Sequence, residues 1–224
     1  MNNEHRKWGL ITGNSLLIMA LIAGFTYGYV HTSIYIPNDS ELTAKLLQEN
    51  IMIYKMGIFA WVIIIILDII VSLGLYKFYL DDKNLISKLS SALRILYTIV
   101  LAIAVAQLVF PLIEDSEVAK SLSYFEKFER VWALGLIIFG FHLLTLSIVC
   151  FKSEITPQLL AIFLSLGGLC YVIVNSLKTF FPSLTEGTKI IENILITPMA
   201  LSELSFAIWL IVISLRMKRL SNAD

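Results

Sequence analysis

The chain contains six long apolar stretches, and this feature limits its fold more than any other. Each stretch is about 20 residues or longer, which at about 1.5 Å of rise per residue lets a helix cross a hydrocarbon core about 30 Å thick. Charged residues, prolines and asparagines gather between the stretches. The stretches are residues 8–30, 57–76, 92–113, 131–151, 157–177 and 194–215. The sequence therefore predicts an all-α integral membrane protein, a six-helix bundle in a single transmembrane domain over residues 1–224.

The composition agrees with this class of protein. Of the 224 residues, 58% are hydrophobic and 15% are charged, whereas soluble domains carry about 25% charged residues. The 17 basic and 17 acidic residues cancel, and a nucleic-acid-binding surface would need a clustered excess of Lys and Arg. We therefore expect the lipid bilayer, and no nucleic acid, as a partner.

The distribution of Lys and Arg predicts the orientation in the membrane. If the N-terminus is cytoplasmic, ten of the 17 basic residues, among them Lys83 and Arg94, lie in the inner segments. The outer segments are longer but hold the other seven. Because short cytoplasmic segments carry the excess of Lys and Arg, we expect both termini in the cytoplasm.

The segment after the first stretch, "IPNDSELTAKLLQENIMIYKMGI", has the pattern of an amphipathic surface helix. The Pro-Asn pair at 37–38 ends the preceding structure, Asp39 or Ser40 can cap a new helix, and apolar residues recur on one side from Leu42 onward. This helix is either a connector that covers the mouth of the bundle or a lid that gates a substrate. A second short surface helix is expected within 114–130.

Three ionisable residues lie in the middle of apolar stretches. Asp68, His142 and Glu203 fall within two residues of the centres of the second, fourth and sixth stretches. They therefore share one slab at the membrane midplane. A charge at that depth costs about 2.5 to 3.5 kcal/mol on insertion scales. We take this midplane cluster as the candidate ligand-binding site.

Other polar residues are secondary candidates. Near the outer end of the fifth helix, Tyr171, Asn175 and Lys178 follow one another at helical spacing, and on the third stretch Arg94 lies toward the inner end. Arg94 is about seven residues, or roughly 10 Å, from the centre of its stretch. We therefore expect it to extend to the cytoplasmic interface rather than to pair with Asp68.

The cluster admits three interpretations. It is a binding or transport site for a small molecule, a lipid or a proton; or it is a purely structural polar network in a membrane scaffold or partner-binding protein, with His142 bridging the two carboxylates. The third is an intramembrane metal-dependent hydrolase, in which Asp68, His142 and Glu203 hold a divalent metal. No second histidine reaches the midplane, and no zinc-protease or nucleophile-elbow motif is present. The catalytic residues, cofactor and oligomeric state stay open.

These residues also carry a family resemblance. The segment "IPNDSELTAKLLQENIMIYKMGI" is similar to a V-P-G-D…T…R-x-G-I element, and "GLIIFGFHLLTLSIVCFKSEITPQLLAIFLSLGGLCYVIVNSL" to a G-L-x-F-F-G-x-H-L-L…R-S-G-x-x-P…A-G-x-x-Y-x-x-D segment. Two shorter runs, "LDIIVSLGLYKFY" and "SELSFAIWLIV", fit as well. The chain thus resembles the bacterial multi-pass membrane family filed as domain of unknown function 4386 (DUF4386). The matching positions are Pro37, Asp39, Thr43, Lys55, Gly57, Asp68, Tyr76, Arg94, Gly135, Phe139, Gly140, His142, Ser153, Pro157, Gly168, Tyr171, Glu203 and Trp209.

The resemblance implies a location and a set of polar positions, but no activity. A bacterial cytoplasmic (inner) membrane protein is expected from it. The chain departs from the family pattern at Lys152, Glu154, Gln158 and Asn175. Asn175 stands where the family has an Asp, so a mechanism that needs an acid near the outer end of the fifth helix is not expected here.

Overall fold

The computed structural model describes residues 3–79, 85–113 and 118–221, and the elements of this part of the chain are helices. Six of them are long and apolar enough to cross a membrane, which confirms the predicted six-helix bundle. Lys83, one of the predicted inner charges, lies outside the described residues. In chain order the helices are α1 (Asn3–Ile34), α2 (Ser40–Glu49), α3 (Ile51–Phe78), α4 (Leu85–Ile113), α5 (Val118–Lys152), α6 (Gln158–Phe180) and α7 (Thr185–Ser221).

The amphipathic helix α2 is confirmed, and its start follows the predicted capping. The side chain of Asp39 accepts a hydrogen bond of 2.9 Å from the backbone N–H of Leu42, which satisfies one of the free donors of the first turn. The buried side of α2 includes Thr43 and Leu47, and it packs against α5. We call the end of the bundle that carries α2 the α2 end.

The second surface helix expected within 114–130 is not a separate element. The described part of this segment, from Val118, continues without a break into the membrane-spanning part of α5. The reason is an apolar pair at helical spacing: Phe125 and Phe128 are both 0% exposed. Phe125 stacks on Tyr35 with ring centroids 5.5 Å apart, so these turns are held inside the bundle rather than on its surface.

The six long helices form a closed ring. Each packs on the next in the order α1, α3, α4, α5, α6, α7, and α7 packs back on α1. A ring of six helices leaves more space at its centre than a bundle of three or four. Every long helix therefore has one face toward the interior of the ring and one toward the outside.

The contact between α5 and α6 depends on two glycines. A Cβ atom at Gly168 would lie 2.8 Å from the carbonyl oxygen of Gly140, and a Cβ at Gly140 would lie 2.8 Å from the carbonyl oxygen of Gly168. Small residues at such points let membrane helices approach closely. The two backbones therefore meet at a distance that excludes any side chain.

Replacing Gly168 by alanine should consequently destabilise the protein. The added methyl group forces two backbones apart, and we expect a loss of about 1 to 3 kcal/mol in the free energy of unfolding. An unfolding titration with sodium dodecyl sulfate would measure it. Gly187→Ala is the matched control, because nothing lies within 4 Å of its Cβ position. Equal stability of the two variants would contradict the close approach.

Candidate ligand-binding cavity

Asp68 on α3 and Arg94 on α4 form a buried ion pair. The Arg94 Nη2 atom lies 2.6 Å from Asp68 Oδ1, and the side chains are 2% and 0% exposed. The prediction that Arg94 extends to the cytoplasmic interface is therefore wrong. That prediction used only the distance along the helix axis. An unpaired Asp68 carboxylate among apolar residues would cost several kcal/mol, and this cost favours its pairing with Arg94.

His142 on α5 lies on the other side of Arg94. Arg94 Nη1 is 3.3 Å from His142 Nε2, and His142 Nδ1 is 2.9 Å from the backbone oxygen of Ser90 on α4. Arginine has only donors and a carbonyl only accepts, so this arrangement fits a neutral ring with its proton on Nδ1. His142 does not bridge two carboxylates, as the structural interpretation expected; Arg94 instead joins Asp68 to His142.

The third predicted residue, Glu203 on α7, has a different partner. The Tyr171 hydroxyl on α6 donates a hydrogen bond of 2.6 Å to Glu203 Oε1. Asn175 is buried, and its Nδ2 donates to the backbone oxygen of Tyr171. Glu203 itself is only half-buried, and its Oε2 accepts no hydrogen bond from the described residues. The predicted residues thus form two groups, Asp68–Arg94–His142 and Tyr171–Glu203.

Phe139 lies between the two groups. The Arg94 guanidinium carbon is 5.3 Å from the centroid of the Phe139 ring, and the same ring lies nearly perpendicular to the ring of Tyr171, with centroids 5.1 Å apart. A cation over an aromatic face and an edge-to-face ring pair are both favourable. Phe139 therefore fixes the two polar groups next to each other without a direct hydrogen bond between them.

A cavity of about 480 Å³ occupies the interior of the ring. Asp68, Arg94 and Glu203 line it at mid-depth, and all six long helices contribute to its wall. His142 does not line it, because Arg94 and Phe139 stand between His142 and the cavity. From mid-depth the cavity extends toward the α2 end, where its lining includes Tyr27, Trp61, Glu129, Trp132, Lys178 and Glu192.

Two further contacts between charged or titratable side chains lie at the α2 end of the bundle. His31 Nε2 on α1 is 2.8 Å from Glu129 on α5, and Lys178 on α6 pairs with Glu192 on α7. Lys178 was a candidate from the sequence, whereas Glu129 and Glu192 were not, because both stand at the edges of apolar stretches, where charges are usually solvated. The one available signal was the position of Glu129 directly after Phe128.

The cavity carries more formal negative than positive charge. Its lining has two more carboxylates than Lys and Arg side chains. Low-dielectric walls strengthen the field of these groups. The carboxylates are Asp68, Glu129, Glu192 and Glu203, and the cations are Arg94 and Lys178.

The geometry does not support the metal-dependent interpretation. Over residues 3–79, 85–113 and 118–221, no three His, Cys, Asp or Glu side chains lie close enough together to hold a metal ion. His142 makes its contacts with Arg94 and Ser90, and Glu203 with Tyr171. Asp68, His142 and Glu203 therefore do not form a ligand set.

These features define a multi-pass helical membrane protein with a polar cavity inside a ring of six helices. Residues 11–214 match the family described as Domain of unknown function (DUF4386), and the chain belongs to that family. Nothing among curated proteins or among solved structures matches the chain.

Proposed function

We propose that this DUF4386 protein binds, and carries across or within the membrane, a small amphiphilic molecule with a protonated amine. The observation that supports this most is Glu203, a half-buried carboxylate with one oxygen engaged by Tyr171, in a cavity with an excess of carboxylates. A protonated amine donates to the second oxygen of Glu203. A charge-assisted hydrogen bond of this kind is about twice as strong as a neutral one.

The rest of the cavity suits the apolar part of such a ligand. Pockets for small molecules are about 300 to 1,000 Å³, mostly apolar, with a few polar groups that fix the orientation, and the cavity here is about 480 Å³. Trp61, Trp132 and Phe139 supply aromatic surface along its length. An alkyl chain lies against these rings while its amine reaches Glu203.

The second interpretation, a structural polar network, is favoured for part of the site. Asp68 and His142 are 0% exposed and Arg94 is 2% exposed, so a ligand in the cavity has little access to them. We assign the Asp68–Arg94–His142 group to holding α3, α4 and α5 together, and the Tyr171–Glu203 group to the ligand. The bundle then has a buried polar group that holds three helices together, next to a second polar group that a ligand can reach.

The same proposal includes a location. The excess of Lys and Arg in the short segments opposite the α2 end supports a protein of the bacterial cytoplasmic membrane, with both termini inside and the α2 end outside. In that orientation the cavity extends from the midplane toward the outer surface. Helix α2 then covers the mouth of the bundle on that side.

Replacing Glu203 by glutamine is expected to weaken amine binding about tenfold or more, because the change keeps the shape and removes the charge. The measurement is calorimetric titration of the detergent-purified protein with dodecylamine, and with dodecanol as the uncharged comparison. Tyr171→Phe should weaken binding less, since it removes only a partner of Glu203. Glu154→Gln is the matched control, because Glu154 is exposed and does not line the cavity. Wild-type affinity in Glu203→Gln would refute the proposed function.

A further inference from the structure

Helices α1 and α7 meet closely in one half of the bundle only. Away from the α2 end, a Cβ at Gly9 would lie 2.1 Å from Ser214 Oγ, and a Cβ at Gly13 would lie 2.9 Å from the Ala207 carbonyl oxygen. Nearer the α2 end, nothing lies within 4 Å of the position that a Cβ atom at Gly24 would occupy. Helix α7 packs against Asn3–Ala23 of α1 but not in the same way against Gly24–His31, so the two helices separate toward the α2 end.

Residues along this gap line the cavity and are also exposed. On α1 these are Ala20, Gly24 and Gly28, and on α7 they are Ile196 and Ala200. A residue that is part of a cavity wall and of the outer surface marks an opening. Since α1 and α7 are both membrane-spanning helices, the opening faces the lipid. We call these five residues the window.

The backbone of α1 changes at the window. Residues Gly24–His31 form a π-helix between two α-helical parts, and this segment packs against α3. π-Helical turns are rare and often occur at functional sites. Here the wider turn coincides with the two glycines of the window edge, so this edge carries no side chain that would close the gap.

The window also leads to the proposed binding group. Ala200 and Glu203 are three residues apart on α7, so they share one face of that helix. A molecule that enters past the small side chain of Ala200 reaches the Glu203 carboxylate within one helical turn.

We infer that the ligand enters the cavity sideways from the bilayer, between α1 and α7, as a membrane-dissolved single-chain amphiphile. The identity of its head group rests on the proposed function, whereas the route rests on the window alone. The alkyl chain of such a ligand stays in contact with lipid at the window while its amine moves into the cavity. The charged head then has about one helical turn to travel from Ala200 to Glu203.

Trp61 and Trp132 line the cavity and report entry directly. The protein is placed in nanodiscs and mixed in a stopped-flow instrument with a brominated alkylamine, or with a brominated alcohol of the same chain length. Quenching that is lost in the Trp61→Phe/Trp132→Phe variant measures entry into the cavity. The alcohol has no amine, so it tests the entry route alone. Comparing the quenching by the amine and by the alcohol, in the wild type and in Glu203→Gln, tests the binding group.

The variants that close the window are Gly24→Phe and Ala200→Phe. Their matched controls are Leu21→Phe and Leu201→Phe, at neighbouring positions that are 77% and 58% exposed and do not line the cavity. We expect the window variants to slow entry of both probes about tenfold, within the range by which substitutions change association rates, and the controls to leave it unchanged. Thermal stability measured in parallel confirms that each variant is folded.

The outcomes separate the two proposals. Equal entry rates in the window variants and in their controls would overturn the lateral route, even where amine binding depends on Glu203. Slower entry in the window variants would support the lateral route. If, in addition, the amine and the alcohol quench alike in the wild type and in Glu203→Gln, the amine site is overturned. If neither probe quenches Trp61 and Trp132 in the wild-type protein, both proposals fail.

Discussion

Replacing Arg94 by leucine should lower the free energy of unfolding by about 3 to 5 kcal/mol, the largest loss expected for a single substitution in this protein. The change leaves the carboxylate of Asp68, which is 0% exposed, without its 2.6 Å partner. It also removes the donor to His142. The measurement is an unfolding titration with sodium dodecyl sulfate in mixed micelles, followed by circular dichroism.

A second substitution distinguishes loss of the pair from loss of packing. In Arg94→Leu/Asp68→Leu no charge remains buried, and apolar replacement of a whole buried pair is often neutral or stabilising. We therefore expect the double variant to be more stable than Arg94→Leu alone. A double variant as unstable as the single one would mean that the packing of the arginine side chain, and not the ion pair, carries the effect. Arg216→Leu, an exposed residue near the end of α7, is the control for loss of an arginine.

The sequence was sufficient to predict the six long helices. The length of an apolar stretch is fixed by the thickness of the membrane, so six stretches predict six helices without any knowledge of their packing. Ser72 follows Asp68 by four residues, which puts both on one face of α3. In the structure Ser72 is 1% exposed, and its hydroxyl donates to the backbone oxygen of Ser91 on α4.

The pairing of the polar residues was not predictable in the same way. The sequence predicts one depth for Asp68, His142 and Glu203, but which side chain meets which depends on the order of the helices around the ring and on the rotation of each helix. Arg94 is the clearest case, because its long side chain connects Asp68 to His142 from a position that the axial distance alone excluded. The second interhelical pair, Tyr171 with Glu203, joins helices that are adjacent in the ring, and depth alone does not indicate that contact.

The window depends on backbone features that apolar periodicity does not report. The stretch 8–30 has the composition of a regular spanning helix, yet the structure has a π-helix from Gly24 to His31. Gly9 and Gly13 sit at close helix contacts, whereas Gly24 and Gly28 stand at an opening. Glycines at helical spacing are therefore compatible with a close helix contact and with an opening. Which of the two forms depends on the position of α7.

Replacing His142 by alanine should destabilise the protein by about 2 to 4 kcal/mol while leaving the ligand site intact. The substitution leaves a space in the core and takes the acceptor from Arg94 Nη1 and the donor from the backbone oxygen of Ser90, and these costs add. His142 does not line the cavity, so binding of dodecylamine to the folded variant should stay close to wild type. Unfolding titrations measure the first effect and calorimetry the second.

Ser90→Ala is the matched control for this prediction. It removes a hydroxyl that lies 3.1 Å from His142 Nδ1 but keeps the backbone oxygen that the ring contacts at 2.9 Å, so we expect a loss of about 1 kcal/mol or less. The two measurements together test the division of the polar residues into two groups. Because His142 supports Arg94 and Glu203 faces the cavity, the free energy of unfolding should depend on His142 and amine binding on Glu203. Loss of amine binding in folded His142→Ala would show that the two groups act as one site.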